Sequence, residues 1–196
     1  MISDFLNISK WTSPYRSKLI VKHFKPWLRQ RQKVLDIGCG TGITTEAIAD
    51  NLKVDIACCD VENYLISGIS VPFHKISKRG NFPFKDEMFE VAMLNDVLHH
   101  VDKPYQIHLI KEALRVAKKV LIFEAEPTLS AKFFDTLLNK FHYAFLDAPL
   151  TFRSGKDWEE LFHLLGLRCR IKKVERPFWY PFSHIAILLE RAAKDK

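Results

Sequence analysis

Long apolar runs and a basic leader are both missing from the sequence. No stretch reaches the roughly 20 apolar residues that a transmembrane helix needs, and the first four residues lack the basic start of a signal peptide. The chain has only four cysteines, and their spacing predicts neither a zinc site nor a disulfide framework. These absences predict a cytoplasmic protein with reduced cysteines and without a bound metal.

Charge of one sign does not dominate, although basic residues exceed acidic ones. Lys and Arg number 30 against 23 Asp and Glu, which gives a net charge of +7. A positive field attracts nucleic acid, an anionic membrane surface or an acidic substrate, so charge alone does not choose among them. With 47% apolar and 27% charged residues, the 196 residues predict one globular α/β domain, residues 1–196, of undetermined oligomeric state.

Glycine is uncommon as well, with seven residues, but three of them stand close together. Val34 to Ile37 predicts a short buried strand, which is followed by a glycine-rich turn from Gly38 to Gly42. Ile43 to Leu52 then carries apolar residues at the spacing of one helix face laid on a sheet. A strand, a glycine turn and a helix in this order predict a ligand-binding corner.

The spacing of this corner argues against a dinucleotide, whose fingerprint needs its third glycine one position later, where the chain has Ile43. Asp36 beside the turn would repel a pyrophosphate but would attract an ammonium or sulfonium group. The stretch from Val34 to Gly42 closely resembles the first motif of the class I S-adenosylmethionine-dependent methyltransferases. The resemblance implies S-adenosylmethionine as cofactor and S-adenosylhomocysteine as product. The residues that it places around the cofactor here are Asp36, Gly38, Cys39, Gly40 and Gly42.

Further positions are predicted to hold the nucleoside half of the cofactor. Asp60 ends a strand predicted at Val54 to Cys59, and an acid at this place accepts hydrogen bonds from both ribose hydroxyls. In the family that the sequence resembles, the next residue, here Val61, commonly lies against the adenine. The following loop departs from the family, because a basic pair stands where an acid often binds the adenine amino group. Adenine is then held by backbone groups, by Asn81 or by packing.

The stretch from Phe82 to Val101 resembles the middle signature of the same family. It predicts a fourth strand that ends in Asn95 and Asp96. Because ligands of open α/β sheets bind beyond such strand ends, we expect Asn95 beside the methionine part of the cofactor and Asp96 beside the substrate. A helix from about Lys103 to Val116 and a fifth strand follow. The sequence does not fix the catalytic residues, and the candidates are Asp96, His99, His100 and Glu124.

Two segments are predicted to close the site. Residues 1–30 form a helical cover, in which a helix starts at the Thr12 to Pro14 run and ends near Gln30. Residues 127–157 form a helical lid after the fifth strand, as the resemblance implies. We expect its aromatic residues Phe141 and Tyr143, together with Arg153, to bind the substrate in an apolar pocket.

The resemblance covers roughly Tyr15 to the C-terminus. It implies an α/β fold with a doubly wound, Rossmann-like, seven-stranded sheet, whose last strand is antiparallel, and a helical lid. The expected activity is methyl transfer from S-adenosylmethionine to a small molecule that is apolar or anionic. Two alternatives stay open. A methyltransferase for RNA or protein is favoured by the positive charge, and a cofactor-binding protein without catalysis is favoured by the missing adenine acid.

Overall fold

Seven β-strands form one sheet in the computed structural model of this chain. The structure describes residues 2–78, 81–128, 150–178, 180 and 182–192, with side chains from residue 13 onward. Most of the predicted lid, including the predicted substrate residues Phe141 and Tyr143, lies outside the described residues. The strands are β1 Lys33–Ile37, β2 Asp55–Asp60, β3 Phe73–Lys75, β4 Phe89–Asn95, β5 Ala117–Ala125, β6 Leu167–Lys173 and β7 His184–Arg191.

The strands follow the spatial order β3-β2-β1-β4-β5-β7-β6. Strands β1 to β5 pair in parallel, whereas β7 runs antiparallel to both β5 and β6. The chain winds from β1 outward to β3 and then returns to the other side of β1 with β4. This order confirms the predicted doubly wound sheet with an antiparallel last strand. The reversal between β1 and β4 creates a crevice at their carboxyl ends, where such sheets bind ligands.

The helices of the described chain are α1 Ile2–Phe24, α2 Ile43–Leu52, α3 Lys103–Val116 and α4 Gly155–Leu164. The predicted bounds of α2 and α3 are confirmed. Helix α3 begins where the Asp102 carboxylate accepts a hydrogen bond from the Tyr105 N–H at 2.9 Å. Helix α4 begins with a capping box, in which Ser154 and Asp157 each accept a hydrogen bond from the other's N–H.

The predicted bounds of the first helix are wrong. Helix α1 continues through Pro14 instead of starting there, and it ends at Phe24 rather than near Gln30. The early end has a local cause, because Pro26 has no N–H and cannot make the next α-helical hydrogen bond. Lys25–Trp27 accordingly forms a short 3-10 helix. In the described part of the chain, no helix combines the length and the apolar content needed to cross a membrane.

Side chains alternate along the strands, so that each face of the sheet carries its own apolar layer. Val34 belongs to the layer on which α1 and α2 pack, and the next residue, Leu35, belongs to the opposite layer under α3 and α4. The first layer includes Ile20, Phe24 and Ile48, and the second includes Ile110, Trp158 and Phe162. Helices on both faces leave only the edges and strand ends for ligands.

The packing of α1 on the sheet leads to a stability prediction. Phe24 is fully buried, and its ring lies 6.4 Å from that of Phe123 on β5. We expect Phe24→Ala to lower the free energy of unfolding by about 3–5 kcal/mol, because it removes a buried aromatic ring and leaves a cavity. Urea denaturation measures the change. Phe178→Ala is the matched control, since Phe178 is 97% exposed, and we expect a change within about 0.5 kcal/mol. Equal effects of the two substitutions would contradict the packing described.

Candidate active site

The glycine turn between β1 and α2 borders open space at one of its three glycines. Gly38, Gly40 and Gly42 have positive φ angles of 74°, 51° and 79°, which side chains rarely adopt. A Cβ atom on Gly38 would lie 2.6 Å from Val97 Cγ2, and one on Gly42 would lie 2.6 Å from Leu65 Cδ2. A Cβ atom on Gly40 would meet nothing within 4 Å in the described chain. Gly40 is therefore the glycine at which a ligand has room to approach the backbone.

Asp60 at the end of β2 holds this turn with its carboxylate. Oδ2 accepts a hydrogen bond from the Gly40 N–H at 2.9 Å, and Oδ1 accepts one from the Val61 N–H at 2.7 Å. Burial raises the pKa of Asp60, although these two bonds oppose the shift. Each oxygen has a second lone pair, so that Asp60 can also accept hydrogen bonds from ribose hydroxyls. The cofactor roles of Asp60 and of the half-buried Val61 stay predictions.

Asp36 on β1 is buried and bonded to the end of the neighbouring strand. Oδ2 accepts a hydrogen bond from Thr45 Oγ1 at 2.6 Å, and Oδ1 accepts one from Asn95 Nδ2 at 3.0 Å. Burial raises the pKa of Asp36 from 3.8 to about 6. Asn95 Oδ1 is buried and lacks a hydrogen-bond partner among the described residues, so it is an acceptor in need of a donor. An ammonium group fits this pair, because it brings both a positive charge and hydrogen-bond donors.

The structure brings fewer predicted residues together where adenine is predicted to bind. Asn81 is exposed, and the two residues before it lie outside the described ranges. The chain just after it is fixed, because the Phe82 N–H donates to Glu112 Oε2 at 2.7 Å. Asn81 therefore stays a predicted adenine ligand. Cys39 in the glycine turn contacts Cys58, and this contact together with burial raises the pKa of the Cys39 thiol, so that the thiol stays protonated.

Asp96, the residue after β4, gathers two basic side chains from distant parts of the chain. Arg16 Nη1 on α1 lies 3.2 Å from Asp96 Oδ2, and His184 Nε2 at the start of β7 lies 3.3 Å from Oδ1. Asp96 has a φ of 54°, and its N–H donates to the Phe123 carbonyl at 2.8 Å. Burial alone would raise the pKa of Asp96, but the His184 ring and the Arg16 guanidinium beside it bring the pKa below its ordinary value. Asp96 is therefore a carboxylate at neutral pH.

Glu124 near the end of β5 is committed to the turn that follows β4. Oε1 accepts hydrogen bonds from the Val97 N–H at 2.9 Å and the Leu98 N–H at 2.6 Å, and Oε2 lies 2.6 Å from His99 Nδ1. Asp96, His99 and Glu124 also place one potential metal-ligand atom each within 4.8 Å of one another. A metal ion at this place would have to displace the bonds that hold the turn. We therefore interpret Glu124 as a group that positions its neighbours.

His100 and Arg153 complete the predicted residues that the structure describes. Burial, and to a smaller extent the charge of His99, lower the pKa of His100 from 6.5 to about 3. His100 is thus neutral and a weak base. Arg153 Nε donates to Gln106 Oε1 at 2.7 Å, and its guanidinium lies 5.4 Å from the centre of the Trp158 ring. These contacts hold Arg153 against α3 and α4, and its role in substrate binding stays a prediction.

The sequence did not single out His184 as a site residue. Its one local signal is weak, because it is a polar residue at the head of the otherwise apolar run of β7. His184 becomes a site residue through its contact with Asp96, and the pairing of β7 with β5 brings these two residues together. A contact of this kind depends on sheet order and leaves no trace in local spacing.

The buried Asp36 carboxylate leads to a pH-dependence prediction. Its pKa of about 6 in the folded chain lies above the value of 3.8 expected for the unfolded chain. The folded chain therefore binds this proton more tightly, and ionisation of Asp36 destabilises it as the pH rises from about 4 to about 6. We expect the free energy of unfolding of the native protein, relative to Asp36→Asn, to fall by about 3 kcal/mol across this range. Urea denaturation of both proteins at each pH measures it, and a difference that does not vary with pH would contradict the assignment.

Comparison with known proteins places this geometry in a family. A family model described as a methyltransferase domain matches residues 13–170, which is most of the chain. An O-methyltransferase of Aspergillus nomiae, rstn1, is 26% identical to this chain in a match that covers 86% of this chain and 82% of that protein. A probable tRNA methyltransferase 9B of Homo sapiens is 32% identical over 125 residues, covering 56% of this chain. That match spans only 26% of the human protein.

The fold also has close counterparts among solved structures. The plantazolicin methyltransferase BpumL, solved in complex with a triazolic desmethylPZN analog and S-adenosylhomocysteine, superposes with a TM-score of 0.68. The match covers 97% of this chain and 90% of that one at 16% identity, so it supports the fold alone. The family match, the strand order and the glycine turn agree with one another. The chain belongs to the methyltransferase domain family and is a class I, S-adenosylmethionine-dependent methyltransferase.

Proposed function

We propose that this enzyme transfers a methyl group to an oxygen atom of a small molecule with an apolar or anionic body. The observation that carries the proposal is the group formed by Arg16, Asp96 and His184, which is largely buried between α1 and the strand ends. An enclosed group of this kind suits a small acceptor, whereas a folded nucleic acid needs an open surface. The rings of Tyr15 and Tyr180 lie 5.0 Å apart beside this group and suit an apolar acceptor.

An oxygen acceptor is supported by the chemistry of the same group. A hydroxyl attacks a methyl carbon well only if a base takes its proton, whereas a neutral amine attacks through its lone pair without prior help. The carboxylate of Asp96 and the imidazole of His184 together supply a proton-accepting centre. The relative from Aspergillus nomiae is named as an O-methyltransferase, which agrees with this choice.

The cofactor half of the proposal uses the residues around the glycine turn. Asp36 and Asn95 bind the ammonium group of the methionine part. Asp60 accepts hydrogen bonds from the ribose hydroxyls, and the open space at Gly40 leaves room for the ligand. S-adenosylmethionine, when bound, supplies a methyl group activated by a sulfonium. The protein's own contribution is to align the acceptor with that methyl group and to exclude water. Helix α1 serves the second purpose, because Arg16 and Tyr15 cover the strand ends from the solvent side.

RNA is a second candidate acceptor, because charge and one relative favour it. The net charge is +7, and Arg168, Arg170 and Lys172 lie exposed along one face of the edge strand β6. A probable tRNA methyltransferase is among the relatives. This row of cations lies on an edge strand, where positive charges also serve to prevent strand pairing. The enclosed group at Asp96 is therefore the stronger argument.

The proposed cofactor site predicts a sharp effect at Gly40. We expect Gly40→Val to abolish S-adenosylmethionine binding in isothermal titration, because the new side chain fills the space that the ligand needs. Gly166→Val is the matched control. Gly166 also has a positive φ, 67°, and open space around it, but it lies at the far end of α4. Both substitutions impose a backbone strain of about 1–2 kcal/mol, so only cofactor affinity separates them. Normal affinity of Gly40→Val would refute the proposed site.

A methyl-transfer screen tests the function itself. The protein is incubated with radiolabelled S-adenosylmethionine and, separately, with a panel of phenols, carboxylic acids and amines and with total tRNA. We expect label in hydroxyl compounds and none in tRNA. Label in tRNA alone would overturn the proposal in favour of the RNA candidate. Label in amines alone would leave a small-molecule enzyme but would contradict oxygen as the acceptor atom.

A further inference from the structure

His184 has a buried nitrogen for which the described chain offers no partner. The residue is 2% exposed, Nε2 lies 3.3 Å from Asp96 Oδ1, and Nδ1 makes no hydrogen bond with any described residue. Burying a polar atom without a partner costs free energy, so such an atom calls for an explanation. Arg16 and Asp96, which form one group with His184, also have buried atoms without a hydrogen-bond partner among the described residues. Three such side chains around one carboxylate indicate a place where a polar ligand completes the bonding.

The neighbours of His184 favour one tautomer of its imidazole ring. The Asp96 carboxylate beside Nε2 favours a proton on that nitrogen, which leaves a lone pair on Nδ1. The ring is also held in place, since its centre lies 4.6 Å from that of Phe123 and 5.9 Å from that of Tyr180 in stacked arrangements. A base oriented by a carboxylate is the arrangement that activates hydroxyl nucleophiles in many enzymes.

The other titratable groups near His184 are poorer bases. His99 and Glu124 are bonded to each other, and Glu124 in addition holds the backbone of the turn. His100, with a pKa of about 3, binds a proton too weakly. Burial raises the pKa of Tyr180, so this residue stays a neutral phenol.

Helix α1 forms the cover over this group. The Arg16 side chain is 36% exposed and lies on the solvent side of Asp96, whose side chain is 9% exposed. Tyr15 of the same helix contacts Tyr180, which in turn stacks on His184. His184 Nδ1 is buried in this arrangement, so an acceptor can reach it only after a neighbouring side chain or helix moves.

We propose that His184 is the general base for a phenolic or enolic hydroxyl and that Asp96 is the positioning residue that orients its ring. This inference rests on the proposed function and narrows its substrate class. The acceptor oxygen forms a bond to the methyl carbon, the carbon–sulfur bond breaks, and its electron pair stays on sulfur. The hydroxyl proton passes to His184 Nδ1, and the resulting imidazolium is stabilised by Asp96. Phenols fit this base because their pKa, about 10 for a tyrosine side chain, is low enough for an imidazole to assist.

Two phenols of different acidity test the role of His184 in the full-length protein. 4-Nitrophenol and 4-methoxyphenol are methylated with S-adenosylmethionine, and S-adenosylhomocysteine formation is followed. We expect His184→Gln to lower kcat about 100-fold or more for 4-methoxyphenol, and much less for 4-nitrophenol, which ionises without help. Cofactor affinity stays unchanged. His163→Gln, at an exposed position on α4, is the matched control and keeps full activity.

The pH profile separates a base from a packing residue. In the native protein we expect one protein group to set the fall of kcat/KM at low pH for both phenols. In His184→Gln we expect the fall to follow the ionisation of each phenol instead, so that it lies at higher pH for 4-methoxyphenol than for 4-nitrophenol. Asp96→Asn keeps a fall common to both phenols but moves it to lower pH, because a protonated ring loses its carboxylate. Equal losses on both phenols, or an unchanged pH profile, would overturn the proposal.

An independent measurement covers the case in which a variant fails to fold. The nitrogen NMR shifts of the native His184 ring report the tautomer directly, and we expect an unprotonated Nδ1 at neutral pH. A proton on Nδ1 would overturn the proposal. The two proposals also fail separately. If neither phenol is methylated but another small hydroxyl compound is, the phenolic base is refuted and the proposed function stands.

Discussion

Glu124 accepts two backbone hydrogen bonds from the turn that follows β4 and lies 2.6 Å from His99 Nδ1, and the neighbouring site residues depend on these contacts. By holding Val97 and Leu98, this carboxylate sets the place of the Val97 side chain, which lies where any side chain at position 38 would have to go. The same turn gives Asp96 its positive φ and presents its carboxylate to α1 and β7. A single buried acid at the end of β5 therefore links the tightness of the glycine turn to the geometry of the acceptor side.

Asp36 and Asp96 are both buried carboxylates, but their surroundings shift their pKa values in opposite directions. Asp36 has only neutral hydrogen-bond donors, Thr45 and Asn95, so burial dominates and raises its pKa. Asp96 is buried as well, but Arg16 and His184 stand beside it and keep it ionised. The first site lacks a positive charge and is ready to take one from a cationic ligand. The second already has the positive charge of Arg16 beside its carboxylate, which suits a neutral acceptor.

Local patterns and the family resemblance together predicted the type of fold and several of the residues that the structure brings to the strand ends. The bounds of α2 and α3 followed from apolar spacing, and the doubly wound sheet with an antiparallel last strand followed from the resemblance that the glycine turn carries. The start of α1 was missed, because proline usually marks a first turn and here lies within the helix. His184 was missed for another reason: its significance comes from Asp96, and the two meet only through the order of β4, β5 and β7. Tertiary contacts of this kind have no signature in sequence spacing.

Helix α1 touches both halves of the site. Ser17 shares a hydrogen bond of 3.0 Å with Thr44 at the start of α2, next to the glycine turn, while Arg16, one residue earlier, pairs with Asp96. Any displacement of the helix that admits an acceptor therefore also disturbs the contact beside the cofactor loop. Such coupling is reciprocal, so a ligand seated at either half changes the affinity of the other. If the acceptor enters by displacing α1, binding of the acceptor and binding of the cofactor are therefore coupled through this helix.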